Sequence, residues 1–137
     1  MIPIARVIPF ILMSVLVGCN DSAGLGPVQV AGTYDLRSIT GASFLEAPLN
    51  ATILLKRDGS AERRATYPTD AVGGAQSVNA VGTYRVVDSM IRFTIRETWG
   101  SATYLRRFDA EILPEGGLSF SYPRPADGTI VETYGKR

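Results

Sequence analysis

From residue 30 to residue 137 the sequence alternates between apolar and polar residues with a period of two. A strand turns successive side chains to opposite faces, whereas a helix would repeat its apolar face about every 3.6 residues. Turn-forming pairs such as Asp58-Gly59 and Gly100-Ser101 interrupt the alternation at short intervals. Asp-Gly favours hairpins because both positions tolerate positive φ. The pattern therefore predicts an all-β chain of short strands.

We predict about eight strands, which follow one another along the chain as a single antiparallel up-and-down meander. They span residues 30–38, 51–57, 60–67, 78–87, 90–98, 102–112, 118–122 and 129–135. Closure of such a meander removes the two exposed edges at which other chains could pair. We therefore expect one domain over residues 30–137, folded as a closed or nearly closed barrel.

One segment occurs twice, as VQVAGTYDL from residue 28 and as VNAVGTYRV from residue 78. In each copy Gly lies two positions before Tyr, so Gly32 and Tyr34 share a face, and so do Gly82 and Tyr84. Glycine lets a strand bend sharply or lets a ring lie against backbone. We interpret the repeat as an element of a curved sheet. Chance similarity is the alternative, because these residues are common in β proteins.

The charge and residue content remove several classes of function. The chain carries 14 basic and 13 acidic residues, which offers no basic surface for nucleic acid. It has no histidine, the side chain that most often acts as general base or metal ligand near neutral pH. Its single cysteine cannot form an internal disulfide. We expect no metal, no cofactor and no nucleic-acid partner.

Residues 1–18 contain one charge, Arg6, followed by an apolar run that is too short to span a bilayer and is typical of a signal peptide. The run ends in Leu16-Val17-Gly18-Cys19, which resembles the lipobox of bacterial lipoproteins. That resemblance implies cleavage before Cys19 and a diacylglycerol on its thiol. The alternative is a plain signal peptide cut nearby, with Cys19 as a free thiol.

Residues 19–29 are small and polar with Gly and Pro, as in a flexible tether. A lipidated Cys19 would hold the following domain at a membrane of the bacterial cell envelope. The residue after the cysteine is Asn20. It is not the Asp that retains lipoproteins at the inner membrane in some bacteria, which favours the outer membrane.

The order of elements in the barrel region resembles the small bacterial lipocalin-like lipoproteins. It consists of a Gly-Thr-Tyr strand, a loop with Pro48, a strand that ends at residues 56–59, and a second Gly-Thr-Tyr followed by residues 90–94. The resemblance covers nearly all of the chain after Cys19. It implies a lipocalin-like barrel.

The lipocalin group also has a closure contact, in which a Gly-x-Trp opens the first strand and a basic residue near the end of the last strand packs over the Trp. The resemblance places Gly32 and Tyr34 in this contact, with Tyr in place of Trp. Lys136 or Arg137 would be the basic partner, and we take Arg137 as the candidate although it lies at the end of the chain.

An eight-stranded barrel is just wide enough to be filled by side chains or to hold one small ligand. If it binds a small apolar or amphipathic molecule, we expect inward aromatic residues to line the site. The candidates are Tyr84, Phe93, Tyr104, Phe108 and Phe120. If these rings fill the interior, the protein is a solid barrel that acts as an envelope interaction or scaffold module. A third hypothesis is that the loop at residues 68–76 inhibits an extracellular enzyme.

Two arginine pairs, Arg63-Arg64 and Arg106-Arg107, lie within predicted strands, so one member of each pair points to the interior. An inward arginine could recognise a carboxylate head group, and the alternative is a charged outer face. Trp99 lies beside a turn and is interpreted as a cap on the barrel end, or else as an aromatic on its rim.

Evidence for catalysis is weak. Asp109 and Glu111 share one face of a strand, but this spacing is common on any solvated strand. We therefore expect a binding or interaction protein and not an enzyme. The sequence identifies no protein partner.

Overall fold

The computed structural model describes residues 26–124 and 128–137, which form a closed barrel of eight antiparallel strands in chain order. A four-residue helix, α1 (Pro27–Val30), precedes the strands. The strands are β1 (Gly32–Thr40), β2 (Asn50–Leu55), β3 (Ser60–Pro68), β4 (Ala75–Val87), β5 (Met90–Trp99), β6 (Ala102–Ile112), β7 (Leu118–Pro123) and β8 (Thr129–Lys136). The predicted all-β up-and-down barrel is confirmed. The predicted signal peptide, Cys19 and the tether up to residue 25 lie outside the described residues.

The two ends of the barrel differ in their connections. At one end, called the closed end, the strands are joined by the short segments 56–59, 88–89 and 113–117. At the other, called the open end, the turn 100–101 is accompanied by the longer loops 41–49, 69–74 and 124–128. The Asp58-Gly59 turn forms as predicted, with Gly59 at a φ of 85° and the Ser60 amide donating to Asp58 Oδ1 at 2.9 Å.

Helix α1 lies across the closed end, and the two tyrosines of the repeated segment hold it there. Tyr34 Oη donates to the Val30 carbonyl at 2.6 Å. Tyr84 Oη lies 2.7 Å from the Lys56 carbonyl oxygen and 3.0 Å from that of Pro27. The Val30 side chain is 3% exposed. Residues 27–29, at the C-terminal end of the predicted tether, belong to this helix.

The barrel closes where β1 pairs with β8. Lys136 Nζ lies 5.7 Å from the centroid of the Tyr34 ring, within reach of a cation–π interaction. A Cβ at Gly32 would lie 2.6 Å from Lys136 Cε, so glycine leaves room for the lysine stem. Arg137, the predicted partner, instead forms an ion pair with Asp35 at 2.6 Å. The closure contact is thus made by Lys136, while Arg137 binds β1 one residue farther along.

The half of the interior toward the closed end is filled by side chains. Phe93 stacks on Phe108 with ring centroids 5.0 Å apart, and Phe120 lies 5.3 Å from Phe108. Phe120 also meets Tyr134 edge to face at 5.4 Å. The space left beside these rings is about 10 Å³, close to the smallest volume that holds one water molecule. This half of the barrel is therefore a packed core.

The pairing of β6 with β7 is short and leaves a gap in the wall toward the open end. Only three residue pairs join these strands, from Ala110–Phe120 to Ile112–Leu118. Residues 102–109 of β6 pair with β5 alone. Tyr104 was expected among the inward aromatic residues, but it lies beside this gap and is 54% exposed. Tyr104 has the inward parity of Phe108 but is exposed, because no described strand covers it on this side.

Gly82 of the repeated segment cannot carry a side chain. A Cβ there would overlap the Thr94 carbonyl oxygen and lie 2.7 Å from Ile95 Cα, both backbone atoms of β5. We predict that Gly82→Ala lowers the free energy of unfolding by about 1 to 3 kcal/mol, since the two strands must separate to accept the methyl group. Urea unfolding followed through Trp99, the single tryptophan, measures this change.

Gly135→Ala is the matched control. A Cβ at Gly135 would meet only the exposed side chain of Arg37, 2.5 Å from its Nε, and that side chain can move away. We expect this variant to unfold within about 0.5 kcal/mol of the parent. Equal losses in the two variants would contradict the proposed role of Gly82 in bending β4 against β5.

Candidate functional site: a cavity at the open end

A cavity of about 500 Å³ lies at the open end and reaches the gap between β6 and β7. Pockets for small ligands commonly measure about 300 to 1,000 Å³. Its apolar lining includes Leu45, Ile95, Trp99, Phe108, Phe120 and Ile130. Its polar lining includes Arg63, Tyr67, Glu97, Arg106, Tyr122 and Glu132. An apolar wall with a few charged groups suits a molecule that has both an apolar body and a polar head.

Exposed apolar side chains lie in the loops at the open end. In the loops at the open end, Phe44, Leu45, Leu49 and Val72 are all exposed. Exposure of large apolar side chains to water is unfavourable, and clustered exposed apolar residues commonly mark a binding surface. Leu45 also lines the cavity itself, so the apolar rim continues into the interior.

A buried ion pair forms the base of the cavity. Arg63 of β3 points inward and its Nη2 lies 3.2 Å from Glu132 Oε2. Tyr122 donates to Glu132 Oε1 at 2.7 Å, and Tyr134 donates to Oε2 at 2.6 Å. Arg63 also donates to the Tyr67 hydroxyl at 3.2 Å. Both carboxylate oxygens are therefore hydrogen-bonded, and the two buried charges neutralise each other.

Burial also sets the ionisation of the tyrosines in this network. Loss of solvent raises the pKa of Tyr122, Tyr134 and Tyr67 above the ordinary phenol value, and the nearby Glu132 charge raises it further. The phenols of Tyr122 and Tyr134 therefore stay protonated at neutral pH and act as donors to Glu132. The hydrogen bonds that these phenols donate offset part of the free-energy cost of burying the Glu132 carboxylate.

A second carboxylate, Glu97 of β5, lies nearer the entrance and is 7% exposed. The indole N–H of Trp99 donates to Glu97 Oε1. Arg106 Nε lies 3.8 Å from Glu97 Oε2, too far for a hydrogen bond. The Trp99 ring packs on Tyr67 with centroids 4.9 Å apart, so an aromatic pair stands beside this carboxylate.

The structure separates the predicted ligand-lining residues into four groups. Phe108 and Phe120 line the cavity, and Phe93 lies beneath them in the packed core. Tyr84 is at the closed end, where it holds α1, and Tyr104 is exposed beside the gap. That any of these residues contacts a ligand stays a prediction.

In the first arginine pair, the two side chains point to opposite faces of β3, as the alternation requires. Arg63 points inward and Arg64 outward, but the inward guanidinium already binds an internal carboxylate, Glu132. Glu97 and Glu132 were not singled out from the sequence. A signal was present, because Glu97 continues the inward series of Phe93 and Ile95.

The side chains that the structure describes include no group of three or more His, Cys, Asp or Glu residues placed to hold a metal ion. Within the same part of the chain no helix is long and apolar enough to cross a bilayer. The eight-stranded antiparallel barrel is compatible with a lipocalin-like fold. Comparison with protein-family models, curated proteins and solved structures found no match for the chain.

We predict that Arg63→Met lowers the free energy of unfolding by about 3 to 5 kcal/mol, because it leaves Glu132 as an uncompensated buried charge. Arg92→Met is the matched control, since Arg92 pairs with Asp109 at 3.1 Å on the exposed outer face. An exposed pair contributes about 0 to 1 kcal/mol. Urea unfolding of both variants measures the difference, and similar losses would show that the buried network has no special weight.

Proposed function

We propose that this chain is a binding protein of the bacterial cell envelope, which holds a small apolar or amphipathic molecule in a lipocalin-like barrel. The observation that carries the proposal is the cavity of about 500 Å³ beneath an apolar rim, above core rings that leave a space of only about 10 Å³ beside them. A fully packed barrel would leave no such space. We propose binding and not catalysis.

The walls of the cavity support an apolar body for the ligand. Phe108 and Phe120 contribute aromatic surface to its lining, and Ile95 and Ile130 contribute aliphatic surface. Each square ångström of apolar surface removed from water contributes roughly 25 cal/mol. A ligand of about ten carbon atoms would bury enough surface here for binding in the micromolar range. The exposed Leu45 and Phe44 offer such a molecule a first contact at the entrance.

The second candidate is a barrel that acts only through its outer surface, as an envelope interaction or scaffold module. The unpaired edge of β6 over residues 102–109 favours it, because free backbone groups on a strand edge can pair with another chain. Tyr104 and Leu105 are exposed along this edge. Under this hypothesis the cavity is filled by water and has no specific occupant.

Titration with the neutral apolar dye N-phenyl-1-naphthylamine distinguishes the two candidates. We predict saturable fluorescence enhancement at about one dye per chain. Phe108→Arg and Leu45→Arg are each expected to weaken binding at least about tenfold, since both place a charge in the apolar wall. Leu45 lies in a half-exposed loop position, so its replacement leaves the packed core intact.

Leu105→Arg is the control for these variants, because Leu105 is exposed on the outer face and does not line the cavity. It should bind the dye as the parent does. Circular dichroism and urea unfolding report whether each variant is folded. Absence of saturable binding in the folded parent protein would favour the scaffold hypothesis.

We further propose that Cys19 carries a lipid anchor, as the Leu16-Val17-Gly18-Cys19 sequence suggests, and that the anchoring membrane is the outer one. The described chain begins at Gly26, next to α1 at the closed end. Seven positions separate Cys19 from Gly26, and an extended chain advances at most about 3.6 Å per residue. An anchored barrel would thus keep its closed end within about 25 Å of the lipid and direct its cavity away from that membrane.

We predict that the protein expressed in a bacterial host incorporates labelled palmitate and sediments with membranes, and that Cys19→Ser abolishes both. Two or three acyl chains bind a membrane almost permanently, because each buried methylene contributes about 0.8 kcal/mol. Ser22→Ala, in the same segment, should leave labelling unchanged. Equal labelling of Cys19→Ser and the parent would contradict the anchor.

A further inference from the structure

We propose that the ligand is cationic: a molecule with a protonated amine on an apolar body, whose ammonium group binds Glu97 at the open end. This inference rests on the proposed function and specifies its ligand class. It follows from the distribution of charge around the cavity, from the hydrogen bonds of Glu97 and from the aromatic rings next to it.

Most charges on the cavity wall are already paired. Glu132 has Arg63 and two tyrosine hydroxyls as donors. Glu46 pairs with Arg124 at 3.1 Å, and Asp109 pairs with Arg92 at 3.1 Å. Each of these carboxylates has a cationic nitrogen within about 3.2 Å. They offer a ligand no charge that is not already compensated.

Glu97 differs from them. Its Oε1 accepts the Trp99 indole N–H, and its Oε2 accepts no hydrogen bond from any residue in the described ranges 26–124 and 128–137. The nearest cationic nitrogen is Arg106 Nε at 3.8 Å, on a side chain that is 54% exposed. Water screens such a cation, whereas Glu97 is almost fully buried. A buried carboxylate with one neutral donor is costly, so a second, charged donor gains more here than at the surface.

The free oxygen of Glu97 is accessible at the surface of the protein. Every buried side-chain nitrogen and oxygen in the described residues has a hydrogen-bond partner, so Oε2, which has none, is not sealed in protein. Glu97 itself lines the cavity. An ammonium group that enters from the open end would therefore reach this oxygen directly.

The rings beside Glu97 favour a cation for a second reason. Trp99 and Tyr67 both line the cavity and lie against each other next to the carboxylate. The negative faces of indole and phenol rings attract cations, with Trp the strongest of the aromatic residues. Behind them Phe108 and Phe120 receive the apolar body. A carboxylate between aromatic rings and an apolar base thus matches an alkyl or aryl amine.

Arg106 and Arg107 are the groups that argue for an anion instead. Both line the cavity, and Arg106 is only loosely paired, so they could attract a carboxylate head group. However, Arg106 is exposed to solvent while Glu97 is buried, and the less solvated charge interacts more strongly with a bound ligand. An incoming ammonium would also replace Arg106 at Glu97 without leaving the guanidinium buried.

The test uses three ligands that share a ten-carbon chain and differ in head group: decylamine, decanol and decanoate. Each competes with N-phenyl-1-naphthylamine for the full chain at pH 7, where the amine is protonated. We expect decylamine to displace the dye at a concentration at least about tenfold lower than decanoate, a difference of about 1.4 kcal/mol. Glu97→Gln should remove the preference for decylamine over decanoate and leave the affinity for decanol unchanged. The amide keeps an acceptor for Trp99 but has no charge.

Two further variants sharpen the test. Glu111→Gln removes one negative charge from the exposed outer part of β6 and should leave the preference for decylamine intact. Arg106→Gln removes the cation next to Glu97. It should strengthen the binding of decylamine and weaken the binding of decanoate. Opposite changes for the two ligands cannot come from loss of folding.

Decanoate binding as tightly as decylamine, or a preference that survives Glu97→Gln, would overturn the cationic ligand. In either case saturable dye binding would still support the proposed function. If neither the dye nor any of the three competitors binds, the proposed function is overturned, and the cationic ligand with it.

Discussion

The pairing of β1 with β8 is the constraint on which the rest of the molecule depends. It joins the first and last strands, so closure of the barrel requires both ends of the domain. Lys136 covers Tyr34 at the same point, and Tyr34 holds the helix α1 that covers the closed end. With that end blocked and its core filled with rings, the cavity lies toward the opposite end and the gap between β6 and β7.

The fold was predictable because alternation is a local property of sequence, and the turn pairs mark where it restarts. The site was less predictable because it depends on how far two neighbouring strands remain paired. Tyr104 has the inward parity of Phe108, yet β7 ends its pairing at Ala110 and leaves Tyr104 uncovered. No feature of β6 alone contains this information.

The buried charges show a second limit of prediction from the sequence. Arg63 and Glu132 are 69 residues apart and meet only because the barrel brings β3 and β8 toward a common interior. From the sequence, an inward arginine suggested an external carboxylate, and the structure supplies an internal one. Glu97 could have been singled out by its parity within β5, since an acidic residue in an inward series needs a partner or a function.

The short contact between β6 and β7 has a consequence for the motions of the barrel. Three residue pairs hold this seam, whereas ten join β5 to β6. Local opening follows the weakest set of hydrogen bonds, so the wall separates here at a lower cost than global unfolding. Opening of this seam would widen the gap that the cavity already reaches, while the packed half of the barrel stays intact.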